Sequence, residues 1–167
     1  MSRNRPGRKR TFLRTVLPAL AICLLVGLSG CGEEGPDVPE NTPLQAVKAA
    51  LGDGPVAPGA APVRSVVDAR RAGDWMMVIV GDTELPGQVL GRAILLLTEE
   101  DGDRYWRLAE GTVYVVSSRV ARPARELAGS EAVRSRLSEV PEATHATWTE
   151  AWEAYVAQRG FAIAEGG

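Results

Sequence analysis

Between residues 63 and 118 the apolar residues come in short blocks, among them Met76-Met77-Val78-Ile79-Val80 and Ile94-Leu95-Leu96-Leu97, cut at close intervals by turn-forming residues. Apolar blocks of that length between turn signals are the pattern of strands. Residues 63–70 and 75–80 are separated by Arg71-Ala72-Gly73-Asp74 and pair as a hairpin. After a loop at 81–87 comes a strand over 89–98, then a turn at 99–103. Its Asp101-Gly102 pair suits positive φ and is the strongest hairpin signal in the chain. Residues 104–109 return, with Trp106 and Leu108 on one side. Residues 113–117 are either a fifth strand or the continuation of the fourth past a bulge at Gly111. Since the blocks do not alternate apolar with polar, the central strands are expected to be covered on both faces.

Helices flank the strands. Thr42 is placed to cap one, with Pro43 at its first position, Gln45 completing a capping box and Gly52 ending it. On that helix Leu44, Val47 and Leu51 share a face. A loop follows over 52–62. Beyond the strands, Ser130 opens a helical segment in which Val133, Leu137 and Val140 share a face, and Pro141 leads into a last helix ending near Gly160. Trp148, Trp152, Tyr155 and Val156 form its apolar stripe and are expected to pack on the sheet. The expectation is an α+β domain over 42–167, with an N-terminal helix, an antiparallel sheet of four or five strands and C-terminal helices.

Charge divides the chain further. Six of the 19 basic residues and none of the 21 acidic ones precede Cys31, so the chain from Cys31 onward carries thirteen against twenty-one, a net charge of −8. Residues 1–14 are basic, and 16–29 form an apolar run of about 14 residues, short of the roughly 20 that a membrane-crossing helix needs. That is the layout of an export signal. The run ends in Leu28-Ser29-Gly30-Cys31, which resembles the lipobox of bacterial lipoproteins. The resemblance implies cleavage after residue 30, lipid on the Cys31 thiol, and attachment through that lipid to the cell membrane or outer membrane with the domain outside the cytoplasm. Two or more acyl chains hold stably where one holds marginally. Lys9-Arg10-Thr11-Phe12-Leu13-Arg14 is also similar to the twin-arginine export motif, with Lys9 in place of its first arginine. A general secretory leader remains open beside it. Residues 31–41, acidic and rich in Gly and Pro, read as a flexible tether.

Few residues carry chemistry. With Cys23 lost in the leader and Cys31 lipidated, no intrachain disulfide and no cysteine metal site remain, and no cofactor is expected. His145 is the chain's one histidine. It lacks a Gly-x-Ser-x-Gly partner and a second metal-ligating His, and reads first as a packed residue beside the aromatic stripe. The acidic run 99–103 fails the calcium-loop spacing, since Leu108 stands where a ligating Glu belongs. Arg119, Arg122 and Arg125 are candidate contacts for an anion, against the plainer reading of a solvated surface. Trp75, Trp106, Trp148 and Trp152, with His145, are candidate walls of a ligand pocket, against the commoner fate of core packing. An exported domain of net −8 is not expected to bind nucleic acid. Two readings stand: a non-catalytic binding module that meets an envelope protein or a small ligand, and a small hydrolase-like enzyme using His145 with Glu142 or Asp68.

The element order and the hairpin arm Asp101-Gly102-Asp103-Arg104-Tyr105-Trp106-Arg107-Leu108 resemble, over residues 42–118, the cone-shaped domains of nuclear-transport-factor-two and cystatin-like proteins. That resemblance implies a curved sheet wrapped on a helix.

Overall fold

A computed structural model describes residues 38–52, 55–81 and 88–164. The leader, the Leu28-Ser29-Gly30-Cys31 motif and the tether up to residue 37 lie outside the described residues. Helix α1 (Pro43–Leu51) starts as its capping residues require: Gln45 N–H donates to Thr42 Oγ1 at 3.2 Å and Thr42 N–H to Gln45 Oε1 at 2.7 Å. Gly52, at φ 71°, turns the chain out of it.

Six strands follow as one sheet in sequential order: β1 (Ser65–Ala72), β2 (Trp75–Gly81), β3 (Val89–Glu100), β4 (Asp103–Ser117), β5 (Val120–Ala128) and β6 (Ala162–Ile163). The first five pair antiparallel, and β6 lies parallel to the start of β5. Between β5 and β6 come α2 (Glu131–Arg134), a 3-10 turn (Ser135–Glu139) and α3 (Glu142–Gln158). The architecture is α+β, its sheet curled into a half-barrel. Three residues have no cross-strand partner, Val67 on β1, Ala109 on β4 and Ala124 on β5. Such bulges increase local twist and so bend a sheet.

Both faces are covered. On one side Val47 and Leu51 of α1 pack with Val78, Val80, Leu95, Leu97, Trp106 and Leu108. On the other, Trp148, Trp152 and Val156 of α3 pack with Met77, Ile79, Leu96 and Tyr114, and Val133 and Val140 join them. Burial on both sides explains why the apolar blocks do not alternate. Among the described residues no helix is long and apolar enough to cross a membrane.

The sheet has six strands where four or five were expected. The unexpected β5 reads Val-Ala-Arg-Pro-Ala-Arg-Glu-Leu-Ala, with five successive exposed residues and a proline. Beyond its pairing with β6 at Val120 and Ala121, its outer edge has no further strand among the described residues. Proline is tolerated at a strand edge or bulge, and Pro123 stands beside the bulge at Ala124. The fourth strand does run on past a bulge, but the extra residue is Ala109, not Gly111. Gly111 stays in register opposite Ala93, where a Cβ would lie 2.8 Å from the Arg92 carbonyl oxygen. The expected helix after Ser130 is one α turn that tightens into 3-10, and the Ser130 side chain makes no capping bond.

The end of the expected tether is docked. Asn41 hydrogen-bonds the backbone of Trp106, and Glu40 N–H donates to the Arg104 carbonyl at 2.8 Å.

Candidate functional site

Strand alternation places the chemistry. Across the sheet, on the face that α3 covers, Asp68, Ile79, Arg92, Thr112 and Glu126 stand in one row from β1 to β5. The next row along holds Arg70, Met77, Ile94, Glu110 and Ala128. Part of this polar strip meets the N-terminal half of α3 and forms a cleft of about 290 Å³. Met77, Ile94 and Trp148 supply its apolar wall, while Arg92, Glu110, Thr112, Glu126, His145 and Thr149 supply the polar one.

Thr112 Oγ1 donates to Glu126 Oε2 at 3.0 Å, which orients that carboxylate. Arg92 is half-buried and, among the described residues, its side chain has neither an ion pair nor a hydrogen bond. His145, also half-buried, stands edge-on to Trp148 at 5.8 Å between ring centroids and 76° between planes. Its position on α3 follows from the turn at Pro141, whose carbonyl accepts the His145 N–H at 3.1 Å. The cleft can therefore hold charged groups of either sign close to an apolar wall.

The residues expected to line one pocket are divided by the sheet. His145 and Trp148 line the cleft. Trp75 and Trp152 are on the same side but belong to the core, with Trp152 packed 5.6 Å from the Tyr114 ring. Trp106 is on the opposite side, paired in register with Leu97, and the Arg71 guanidinium lies 5.5 Å over its ring. A pocket containing all four tryptophans is thus not formed, because Trp75 and Trp106 stand on opposite faces of the sheet.

The candidate anion contacts do not line the cleft. Arg119 lies in the turn between β4 and β5. The bulge at Ala124 lets Arg122 and Arg125 point to the α1 side together, opposite Val115 and Val113. Arg125 Nη1 donates to the Leu51 carbonyl at 2.8 Å and so satisfies the end of α1. The carboxylates considered with His145 are also elsewhere: Asp68 accepts from Ala69 N–H and Arg70 Nε, and among the described residues neither it nor Glu142 hydrogen-bonds His145. No group of three or more His, Cys, Asp or Glu side chains among the described residues could hold a metal ion.

The sequence reading missed Arg92, Glu110 and Glu126. Arg92 carried a signal, a cation inside an otherwise apolar strand between Gly91 and Ala93. The two glutamates carried none, because their approach depends on register across three strands.

Compared with protein-family models, curated proteins and solved structures, the chain matches none.

Proposed function

We propose that this protein is a lipid-anchored bacterial envelope lipoprotein whose α+β domain is a binding module. The observation that carries the binding half is the cleft beneath α3, where Arg92 has no partner among the described residues and stands in the same cavity as two carboxylates. A half-buried guanidinium without a protein partner is placed to take an anionic group through paired hydrogen bonds. The anchoring half rests on the basic leader and on Leu28-Ser29-Gly30-Cys31. With Glu40 bonded to β4, nine chain steps separate Cys31 from the folded domain, a reach of at most about 30 Å. The domain then works close to the membrane surface. The finer fold reading, a cone-shaped domain of nuclear-transport-factor-two or cystatin-like kind, is supported by the curl of the sheet; helices that follow the sheet depart from it.

A second reading, a small envelope hydrolase, is favoured by one observation, that His145 shares the cleft with Glu110 and Glu126.

Metabolic labelling with a palmitate analogue tests the anchor. The wild type takes up label and Cys31→Ala does not; equal labelling of the two sinks the lipoprotein reading. Crosslinking in intact cells tests the module, with a partner or small ligand captured through α3 and the cleft. A His145→Ala variant that keeps its stability but loses a hydrolytic activity of the wild type would turn the choice to the enzyme.

A further inference from the structure

The pattern of charge in the cleft selects among ligands. Arg92 is on β3, Thr112 stands beside it on β4, and Glu126 is one strand further on β5. Strand spacing sets the Cβ atoms of Arg92 and Glu126 about 10 Å apart. Glu110 is diagonal to Arg92 on the same face, about 7 Å away by the same kind of estimate. A guanidinium fork takes a carboxylate through two parallel hydrogen bonds, and the half-buried Arg92 has that capacity free among the described residues.

A simple anion would meet Arg92 but also two carboxylates of its own sign. A simple cation would meet the carboxylates but also Arg92. A molecule with both charges, set a few bonds apart, satisfies both ends. Thr112 already holds the Glu126 carboxylate in place, so less side-chain freedom is lost when it receives an ammonium group. Met77, Ile94 and Trp148 offer apolar surface to a short carbon skeleton. A volume of about 290 Å³ stands at the small end of small-molecule sites.

We propose that the cleft binds a small zwitterion, a free amino acid or a dipeptide, with its carboxylate on Arg92 and its ammonium group between Glu110 and Glu126. This rests on the binding-module half of the proposed function and does not need the lipid anchor.

The test uses the full-length protein in detergent, titrated calorimetrically with lysine and with alanyl-alanine. His145 is the only histidine, so its ring resonances form a single set that reports on the cleft directly. At least one probe binds saturably at millimolar concentration and shifts those resonances. Arg92→Gln weakens binding by about tenfold or more, as expected for loss of a charge-assisted pair. Glu126→Gln, an exposed change that leaves the core alone, weakens it too. N-acetyl-alanyl-alanine and alanyl-alanine amide each bind more weakly than the free dipeptide, since each lacks one charge. Failure of both probes to bind overturns the proposal, as does binding that survives both Arg92→Gln and Glu126→Gln or leaves the His145 resonances unmoved. Should Arg92→Gln fail to fold, Glu126→Gln and the capped dipeptides decide alone. Failure of the probes with a crosslinked partner still in hand removes the zwitterion and leaves the module; equal labelling of Cys31→Ala with the probes still bound removes the anchor alone.

Discussion

The carboxamide of Asn41 holds the backbone of Trp106 at both of its polar groups: Nδ2 donates to the Trp106 carbonyl at 2.9 Å, and Oδ1 accepts from the Trp106 N–H at 2.7 Å. Strand β5 covers β4 only from Glu110 onward, so among the described residues no strand pairs with Trp106 on the side away from β3. One side chain takes the place of a strand residue there and ties the start of the domain down. Asn41→Ala leaves both backbone groups of a part-buried site without partners and is expected to cost about 1–3 kcal/mol. Urea denaturation checks this, and an unchanged midpoint would refute it.

Gly129 carries the chain from β5 into α2 while its N–H donates to the Ala109 carbonyl at 2.9 Å. A Cβ there would collide with the Leu108 carbonyl oxygen, a backbone atom that cannot swing aside. Gly129→Ala should therefore destabilise by at least about 2 kcal/mol, since relief requires moving backbone. A thermal midpoint within a degree or so of wild type would contradict the close approach.

Trp152 is 3% exposed and its ring is tilted 31° against that of Tyr114. Its removal leaves a cavity between α3 and the sheet, so Trp152→Ala should cost about 3–5 kcal/mol. Tyr114→Phe keeps the ring contact and should cost far less. Guanidinium unfolding of the two variants side by side tests the ranking, and equal losses would contradict it.

Arg136 and Glu139 form a two-pronged pair, with both guanidinium contacts at 2.9 Å. The hydrogen bonds from Arg136 hold the Glu139 carboxyl below its ordinary value. A depressed carboxylate stabilises the fold above its unfolded-state pKa, and that contribution is lost as pH falls through the lowered folded value. Glu139→Gln should thus lower the unfolding midpoint slightly near pH ~7 and make no difference near pH ~2. Both side chains are about half exposed, so added salt should shrink the effect. A difference that grew on acidification would reverse the sign and refute the pairing.

Helix and turn signals were legible wherever the interaction is local. Thr42, Pro43 and Gln45 predict the start of α1 because all its capping bonds close within four residues. Asp101 and Gly102 predict the β3–β4 turn because both must take positive φ, and they do so at 56° and 90°. β5 was not legible, since an outer strand whose middle five residues are all exposed needs no apolar pattern there and can carry Pro123. The cleft was half legible: His145 and Trp148 were singled out, whereas Arg92, Glu110 and Glu126 were not.

The order of residues alone placed α1, α3 and the first four strands to within a few residues, and showed that the central strands are covered on both sides. Hydrogen bonds between near neighbours and the content of apolar blocks decide those matters. Long-range pairing alone parts Trp106 from Trp75, Trp148 and Trp152, brings Arg125 to the end of α1, and sets Arg92 on one sheet face with Glu110 and Glu126. Each of these depends on register, and a single bulged residue reverses the face of every side chain beyond it. Three such residues, Val67, Ala109 and Ala124, set the faces in this sheet.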